Sequence, residues 1–145
     1  MSVSTEITFV GPILLTLLIL AAFIPMAEAQ VIPGPPKVIV MSPNGGEVWK
    51  VGSVQKIKFS WVRAFPPMIV KRIDIYYSTG PVNGVWKWTI IATLSGYRLQ
   101  VGYAEYSWTI PNTPSTSCKV RVDVIEALGM RGSDISDRPF TIKSR

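Results

Sequence analysis

The sequence contains no histidine and only one cysteine. Without histidine, nucleophile systems of the Ser-His and Cys-His kind are excluded, and so is zinc held by histidine. A single thiol also excludes the intramolecular disulfide framework that stabilises many small secreted domains. Cys118 lies on the apolar side of an alternating segment, so we expect it to be buried and inert rather than available for an intermolecular bridge.

Phosphate-binding and acid–base signatures are missing as well. Residues 44–46 (NGG) form a turn signal without the lysine and helix that a P-loop requires. Glu105 and Asp123 are expected to point outward beside basic neighbours, which does not favour a catalytic carboxylate pair. Asp134 and Asp137 are interpreted as acids that cap a turn rather than as calcium ligands. We therefore expect no enzyme activity, no cofactor and no metal site.

A hydrophobic run, ILLTLLILAAFI, occupies residues 13–24. Ala27-Glu28-Ala29 follows it and is typical of a signal-peptidase site with cleavage after Ala29. No lysine or arginine precedes the run, and residues 9–26 taken together are just long enough to cross a bilayer. A cleaved signal peptide and a retained membrane anchor therefore both remain open for residues 1–29. Either one places the remainder outside the cytoplasm.

The rest of the chain divides into a short spacer and one domain. Residues 30–36 (QVIPGPP) contain three prolines and a glycine, which predicts a stiff, extended spacer. Residues 37–145 carry all fifteen basic side chains and seven of the nine acidic ones, an excess of eight positive charges. Such a field attracts anionic partners in general. The basic residues are spread rather than clustered, so we expect a solvated surface and no nucleic-acid partner.

Hydrophobic and polar residues alternate with period two throughout the domain. Ile57, Phe59 and Trp61 share one side of residues 54–61, and residues 118–124 alternate in the same way. This alternation indicates half-buried antiparallel strands, and proline, glycine and asparagine clusters separate them. The sequence predicts an all-β fold, a single Ig-like or fibronectin III-like antiparallel β-sandwich of about seven strands, preceded by a hydrophobic N-terminal helix.

Several separated motifs follow one another in the order of a known module. They are SPNGGEVW at residues 42–49, IKFSW at 57–61, YSWTIPNTPS at 106–115, CKVRV at 118–122, and a C-terminal segment at 133–142 ending in FTI. The chain resembles the Ig-like module of yeast cell-wall glucan-assembly proteins of the Kre/Knh type, similar copies of which occur in archaeal and bacterial surface proteins. The resemblance covers residues 40–143 and implies a structural, adhesive or carbohydrate-associated module without catalysis. This chain carries one copy.

Aromatic residues off the predicted core faces are the candidate contacts for a ligand or partner. They are Trp49, Tyr76, Trp86, Tyr97 and Tyr103. Exposed flat rings stack on sugar faces or anchor partner proteins, whereas the alternative is that Trp86 and Trp88 pack on a sheet face.

The function predicted from the sequence is a non-catalytic cell-surface or secreted structural or interaction module, such as an adhesion, surface-layer, filament or complex subunit. The alternative is a carbohydrate-binding module for cell-wall or environmental glycans. Expected partners are other surface proteins or copies of itself, glycans under the alternative, and the membrane if the N-terminal segment is retained.

Overall fold

The computed structural model describes residues 34–62, 69–95 and 101–145, and all regular structure in them is β-strand. The strands are β1 (Lys37–Ser42), β2 (Val48–Lys50), β3 (Val54–Val62), β4 (Val70–Ser78), β5 (Pro81–Val82), β6 (Val85–Trp86), β7 (Thr89–Ser95), β8 (Val101–Thr109), β9 (Ser115–Glu126), β10 (Arg131–Ile135) and β11 (Phe140–Lys143). In this part of the chain, no helix is long and apolar enough to cross a membrane. The predicted N-terminal helix at residues 1–29 lies outside the described residues.

Two sheets form the sandwich. The small sheet has the order β1-β3-β8, and the large sheet has the order β2-β11-β9-β4-β7, with β10 also paired to β9. The long strand β9 pairs with β11 near its start and with β10 near its end, so these two strands share one side of it. All pairs are antiparallel except β2 with β11. The arrangement is that of an Ig-like sandwich, and the strands beyond the predicted seven are mostly short.

The core lies between the inward faces of the two sheets. The alternation in β3 and β9 gives the predicted result, because Ile57, Phe59 and Cys118 are fully buried. Trp61 is 1% exposed and lies so close to Gly102 on β8 that a Cβ at that glycine would stand 1.8 Å from the indole. The missing side chain of Gly102 therefore makes room for the largest fully buried side chain of the described residues.

Trp49, one of the five candidate contacts, belongs to this core and is only 7% exposed. The prediction that it is a surface residue was wrong. Strand β2 pairs in parallel with β11, and this directs Trp49 inward while its neighbours Val48 and Lys50 stay exposed. The ring packs against Phe140 with centroids 5.0 Å apart, and meets Trp108 in an edge contact at 6.2 Å.

The NGG turn connects the two ends of the domain. Gly45 and Gly46 have φ angles of 130° and 87°, which only glycine adopts readily. The Glu47 carboxylate accepts the backbone N–H groups of Asn44 and Gly45, each at 2.8 Å. The Asn44 side chain donates to the Asp137 carboxylate at 3.0 Å and accepts the Asp137 N–H at 2.7 Å. Hydrogen bonds therefore connect the first motif of the sequence to the last one.

Candidate functional site

A row of polar side chains crosses the outer face of the large sheet. Thr93 on β7, Asp74 on β4, Asp123 on β9 and Ser133 on β10 are successive cross-strand partners. Asp74 is 3% exposed and Asp123 is fully buried, although both point away from the core. The alternation placed Asp123 on the correct, outer face, and the neighbouring strands and arginines bury it there.

Two facing carboxylates destabilise a sheet unless cations compensate them. Asp74 accepts from Arg72 Nε at 3.0 Å and from Thr93 Oγ1 at 2.9 Å. Asp123 accepts from Arg121 Nη2 at 3.0 Å, from Arg131 and from Ser133 Oγ. The hydrogen bond to Asp123 raises the pKa of the Arg131 guanidinium. Three arginines against two aspartates leave this face with a positive balance.

Beside the two aspartates, aromatic rings and cationic side chains form a stack. Arg121 places its guanidinium carbon 4.6 Å from the Tyr76 ring centroid and 5.2 Å from that of Trp88. Trp88 stacks on Trp86 with centroids 5.9 Å apart and an interplanar angle of 22°. Lys119 Nζ lies 5.8 Å from the Trp86 ring. We call these five residues the arginine–aromatic face.

The hairpin β5–β6 brings the tryptophans to this face. Its two-residue turn consists of Asn83 and Gly84, with φ angles of 52° and 78°, the pattern of a type I′ turn that matches the twist of a hairpin. Trp86 and Trp88 are half-buried against the sheet, whereas Val85 is 64% exposed. Ile90 lies opposite Tyr76 at the start of β7 and is 55% exposed. The arginine–aromatic face therefore has an apolar rim.

The structure separates the five candidate contacts. Tyr76 and Trp86 lie together on the arginine–aromatic face, and both are half-buried. Tyr103 lies on the small sheet and is 54% exposed. Trp49 is a core residue, and Tyr97 lies outside the described residues. The rings of Trp86 and Trp88 stack on each other and stay partly open to solvent.

Tyr103 belongs to a separate ion cluster on the small sheet. Its hydroxyl donates to Glu105 Oε1 at 2.7 Å, and Lys56 Nζ lies 2.6 Å from Glu105 Oε2. Lys58 Nζ is 3.6 Å from the same carboxylate. The bonds from Lys56 and Tyr103 lower the pKa of Glu105 from 4.5 to about 2, and the bond to Glu105 raises the pKa of Tyr103. A carboxyl group held ionised in this way is poorly suited to donate a proton near neutral pH.

Two further predictions concern Asp134 and Cys118. The prediction that Asp134 caps a turn was wrong: Asp134 lies within β10 and accepts the backbone N–H of Val40 at 2.7 Å, so its carboxylate joins β10 to β1. The Asp137 carboxylate accepts from the Asn44 side chain and its N–H donates to Asn44 Oδ1, so Asp137 bonds to the NGG turn. The described residues hold no group of three or more His, Cys, Asp or Glu arranged to bind a metal. Cys118 is buried as expected, and burial raises the pKa of its thiol.

Sequence reasoning did not single out Trp88, Lys119 and Arg121 as members of a site. A signal was available on single strands, since Arg72 and Asp74, like Arg121 and Asp123, are two residues apart and share one sheet side. To join these pairs into one face, the order of the strands in the sheet must also be known.

No family model matches the chain, and no curated protein sequence matches it either. Among solved structures, the sporulation control protein Spo0M from Bacillus subtilis is similar, with a TM-score of 0.52 and 15% identity over 77% of this chain. The chain spans about half of that structure, 51% of its length. The CARDB domain of a Pyrococcus furiosus protein, solved in complex with di-metal ions, is similar at a TM-score of 0.40 and 10% identity, covering 78% of this chain and 96% of the domain. The first of these similarities supports the β-sandwich fold alone.

Proposed function

We propose that the chain is a non-catalytic interaction module that acts outside the cytoplasm and contacts its partner through the arginine–aromatic face. The observation that carries the proposal is the stack of Tyr76, Arg121, Trp88, Trp86 and Lys119 on the outer face of the large sheet. Tryptophan, tyrosine and arginine are the residue types that contribute most binding energy at protein interfaces. The hydrophobic N-terminal segment and the Kre/Knh-type resemblance support the extracytoplasmic placement.

Rigidity is the second argument for this face. Asp123 fixes Arg121, and Arg121 in turn lies between Tyr76 and Trp88. A contact surface that is ordered before binding loses less conformational entropy when the partner arrives. The exposed Ile90, which pairs with Tyr76, adds apolar area from which water is released on association.

Site-specific photo-crosslinking in the producing cells tests the proposal. A photoreactive phenylalanine replaces Ile90, beside the arginine–aromatic face, or Met41, on the outer side of β1, and these residues are similarly exposed at 55% and 51%. We expect a discrete crosslinked adduct from position 90 that is lost with Trp86→Ala. Equal adducts from both positions, or none from position 90, would contradict the proposal.

Protease added to intact cells should also cleave the domain, and full protection would refute its extracytoplasmic placement.

A carbohydrate ligand is the second candidate, and the stacked indoles of Trp86 and Trp88 favour it. Sugar rings bind to aromatic faces through their C–H surfaces, and Lys119 beside Trp86 would add a charge for an acidic sugar. Calorimetric titration with neutral and uronate-containing cell-wall oligosaccharides decides between the candidates. Binding that is lost with Trp86→Ala supports the glycan, whereas no heat at millimolar ligand removes it and leaves the protein partner.

A further inference from the structure

Most sheet edges in the described residues carry a feature that discourages the addition of another strand. Strand β1 lies against β10, where the Asp134 carboxylate accepts the Val40 N–H, and its register with β3 shifts between Val40 and Ser42. Strand β2 has only three residues and ends at Lys50. Strand β7 is bulged, because Ala92 and Ile90 pair with consecutive residues of β4. Bulges, short edges, charges and covered edges are the usual protection against edge-to-edge association.

Strand β8 is the exception. Its nine residues pair with β3 from Val101 to Thr109 without a register shift, and they include no proline. In the residues that the structure describes, no strand pairs with its other edge. A long and regular edge with unpaired backbone groups is a template for a further strand.

The direction of the unpaired groups follows from one hydrogen bond. The Ile110 N–H, next after β8, donates to Ser53 O at 2.9 Å and so points toward β3. In an antiparallel pair, successive residues direct their N–H and C=O groups to opposite sides. Alternate residues of β8 therefore direct these groups away from β3, namely Val101, Tyr103, Glu105, Ser107 and Thr109.

The charges along this edge do not oppose a second copy of β8. Glu105 is the only charged residue of β8, and Lys56, Lys58 and Tyr103 of the same small sheet already surround its carboxylate. A second copy of β8 would bring no lysine or arginine to this edge. It would bring one acid, Glu105, whose charge is already compensated within its own copy. In an antiparallel pair of identical strands centred on Glu105, the two carboxylates would face each other, which is unfavourable. A centre at Ala104 places Tyr103 of one copy opposite Glu105 of the other.

We propose that β8 pairs antiparallel with β8 of a second copy of this chain, about a twofold axis at Ala104, and joins two small sheets into one of six strands. The interface is isologous, so the same unpaired groups are satisfied in both copies. It uses the small sheet, whereas the proposed partner site lies on the large sheet. A negative result for one proposal therefore does not count against the other.

Disulfide trapping in the full chain, expressed with its own N-terminal segment, tests the pairing. Ala104 would face its own copy in a non-hydrogen-bonded pair, where Cβ atoms approach within about 5.5 Å and a disulfide can form. Oxidation of Ala104→Cys should give a covalent dimer on a non-reducing gel. The matched control is Ala92→Cys, because Ala92 is also half-buried and lies on another edge strand of the described residues, β7. Native Cys118 is buried and gives the background.

A second pair of variants tests the hydrogen bonds themselves. Ser107→Pro removes an N–H that points away from β3, whereas Ser107→Val keeps it. In the Ala104→Cys chain, the proline should lower the dimer yield roughly tenfold or more, and the valine should not lower it. Equal yields from Ala104→Cys and Ala92→Cys would overturn the proposal. So would full yield from a Ser107→Pro chain whose near-ultraviolet circular dichroism is native. If the proline variant does not fold, the comparison of the two cysteines still decides.

Discussion

The Asp123 carboxylate offers the most direct test of how the arginine–aromatic face is held. Asp123→Asn keeps the shape of the side chain but removes its charge, while Arg121 and Arg131 remain beside it. Removing one partner of a buried ion pair costs about 3–5 kcal/mol. The side chains of Arg121 and Arg131 are 24% and 50% exposed, so water compensates them in part. We therefore expect a loss near the lower limit, about 3 kcal/mol in the free energy of unfolding.

Urea unfolding followed by tryptophan fluorescence measures this loss, with the m-value checked for constancy. Glu105→Gln is the matched control, because it makes the same chemical change in another carboxylate that has bonded partners, in this case a lysine and a tyrosine. Glu105 lies at the surface, where solvent screens its ion pairs, so its replacement should change stability far less. Equal losses from the two variants, or a loss below about 1 kcal/mol for Asp123→Asn, would refute the reasoning from burial.

Three further predictions concern single sites. Lys56→Met should raise the pKa of Glu105 from about 2 toward 4.5 in a carboxyl NMR titration. Because the pKa of Glu105 is lower in the folded than in the unfolded protein, its ion pairs stabilise the fold above about pH 4.5, and this stabilisation is lost as the pH falls toward 2. An unchanged pKa of Glu105 in the Lys56→Met variant would contradict the prediction. Gly102→Ala should cost about 1–3 kcal/mol in thermal unfolding, since its Cβ would clash with Trp61, and a neutral result would show that the indole can move. Cys118 should react with a thiol reagent only after unfolding, and rapid labelling of the native protein would disprove its burial.

The long strands were predictable from the sequence because their period of two is repeated several times. In β3 and β9 the inward residues, among them Ile57, Phe59 and Cys118, are those that the alternation assigns. Trp49 could not be assigned in this way. It is the middle residue of a three-residue strand, and its direction depends on β11, which lies far away in the sequence.

The candidate face was only partly predictable for a related reason. Alternation tells which side of a sheet a residue occupies, but it does not tell what covers that side. Asp123 is buried because β4 and β10 place Asp74 and Ser133 on either side of it, and both pairings are set by the tertiary fold. The hairpin that carries Trp86 could be recognised from its Asn83-Gly84 turn. The contact of the following Trp88 with Arg121 could not be recognised, since it joins distant parts of the chain.

The distribution of acids explains why the surface of the domain is positive and what kind of partner it should attract. Acidic side chains of the domain bond backbone N–H groups or neighbouring polar side chains, among them Glu47, Asp74, Glu105, Asp123, Asp134 and Asp137. The charge of these acids is compensated by bonds within the domain, and the fifteen basic residues outnumber all seven acids by eight. A partner at the arginine–aromatic face should therefore carry negative charge, whether it is a protein or an acidic glycan. Association measured by surface plasmon resonance should slow as salt rises from 50 to 500 mM in any such pair, roughly tenfold or more, and a salt-independent rate would mean that the rings alone recognise the partner.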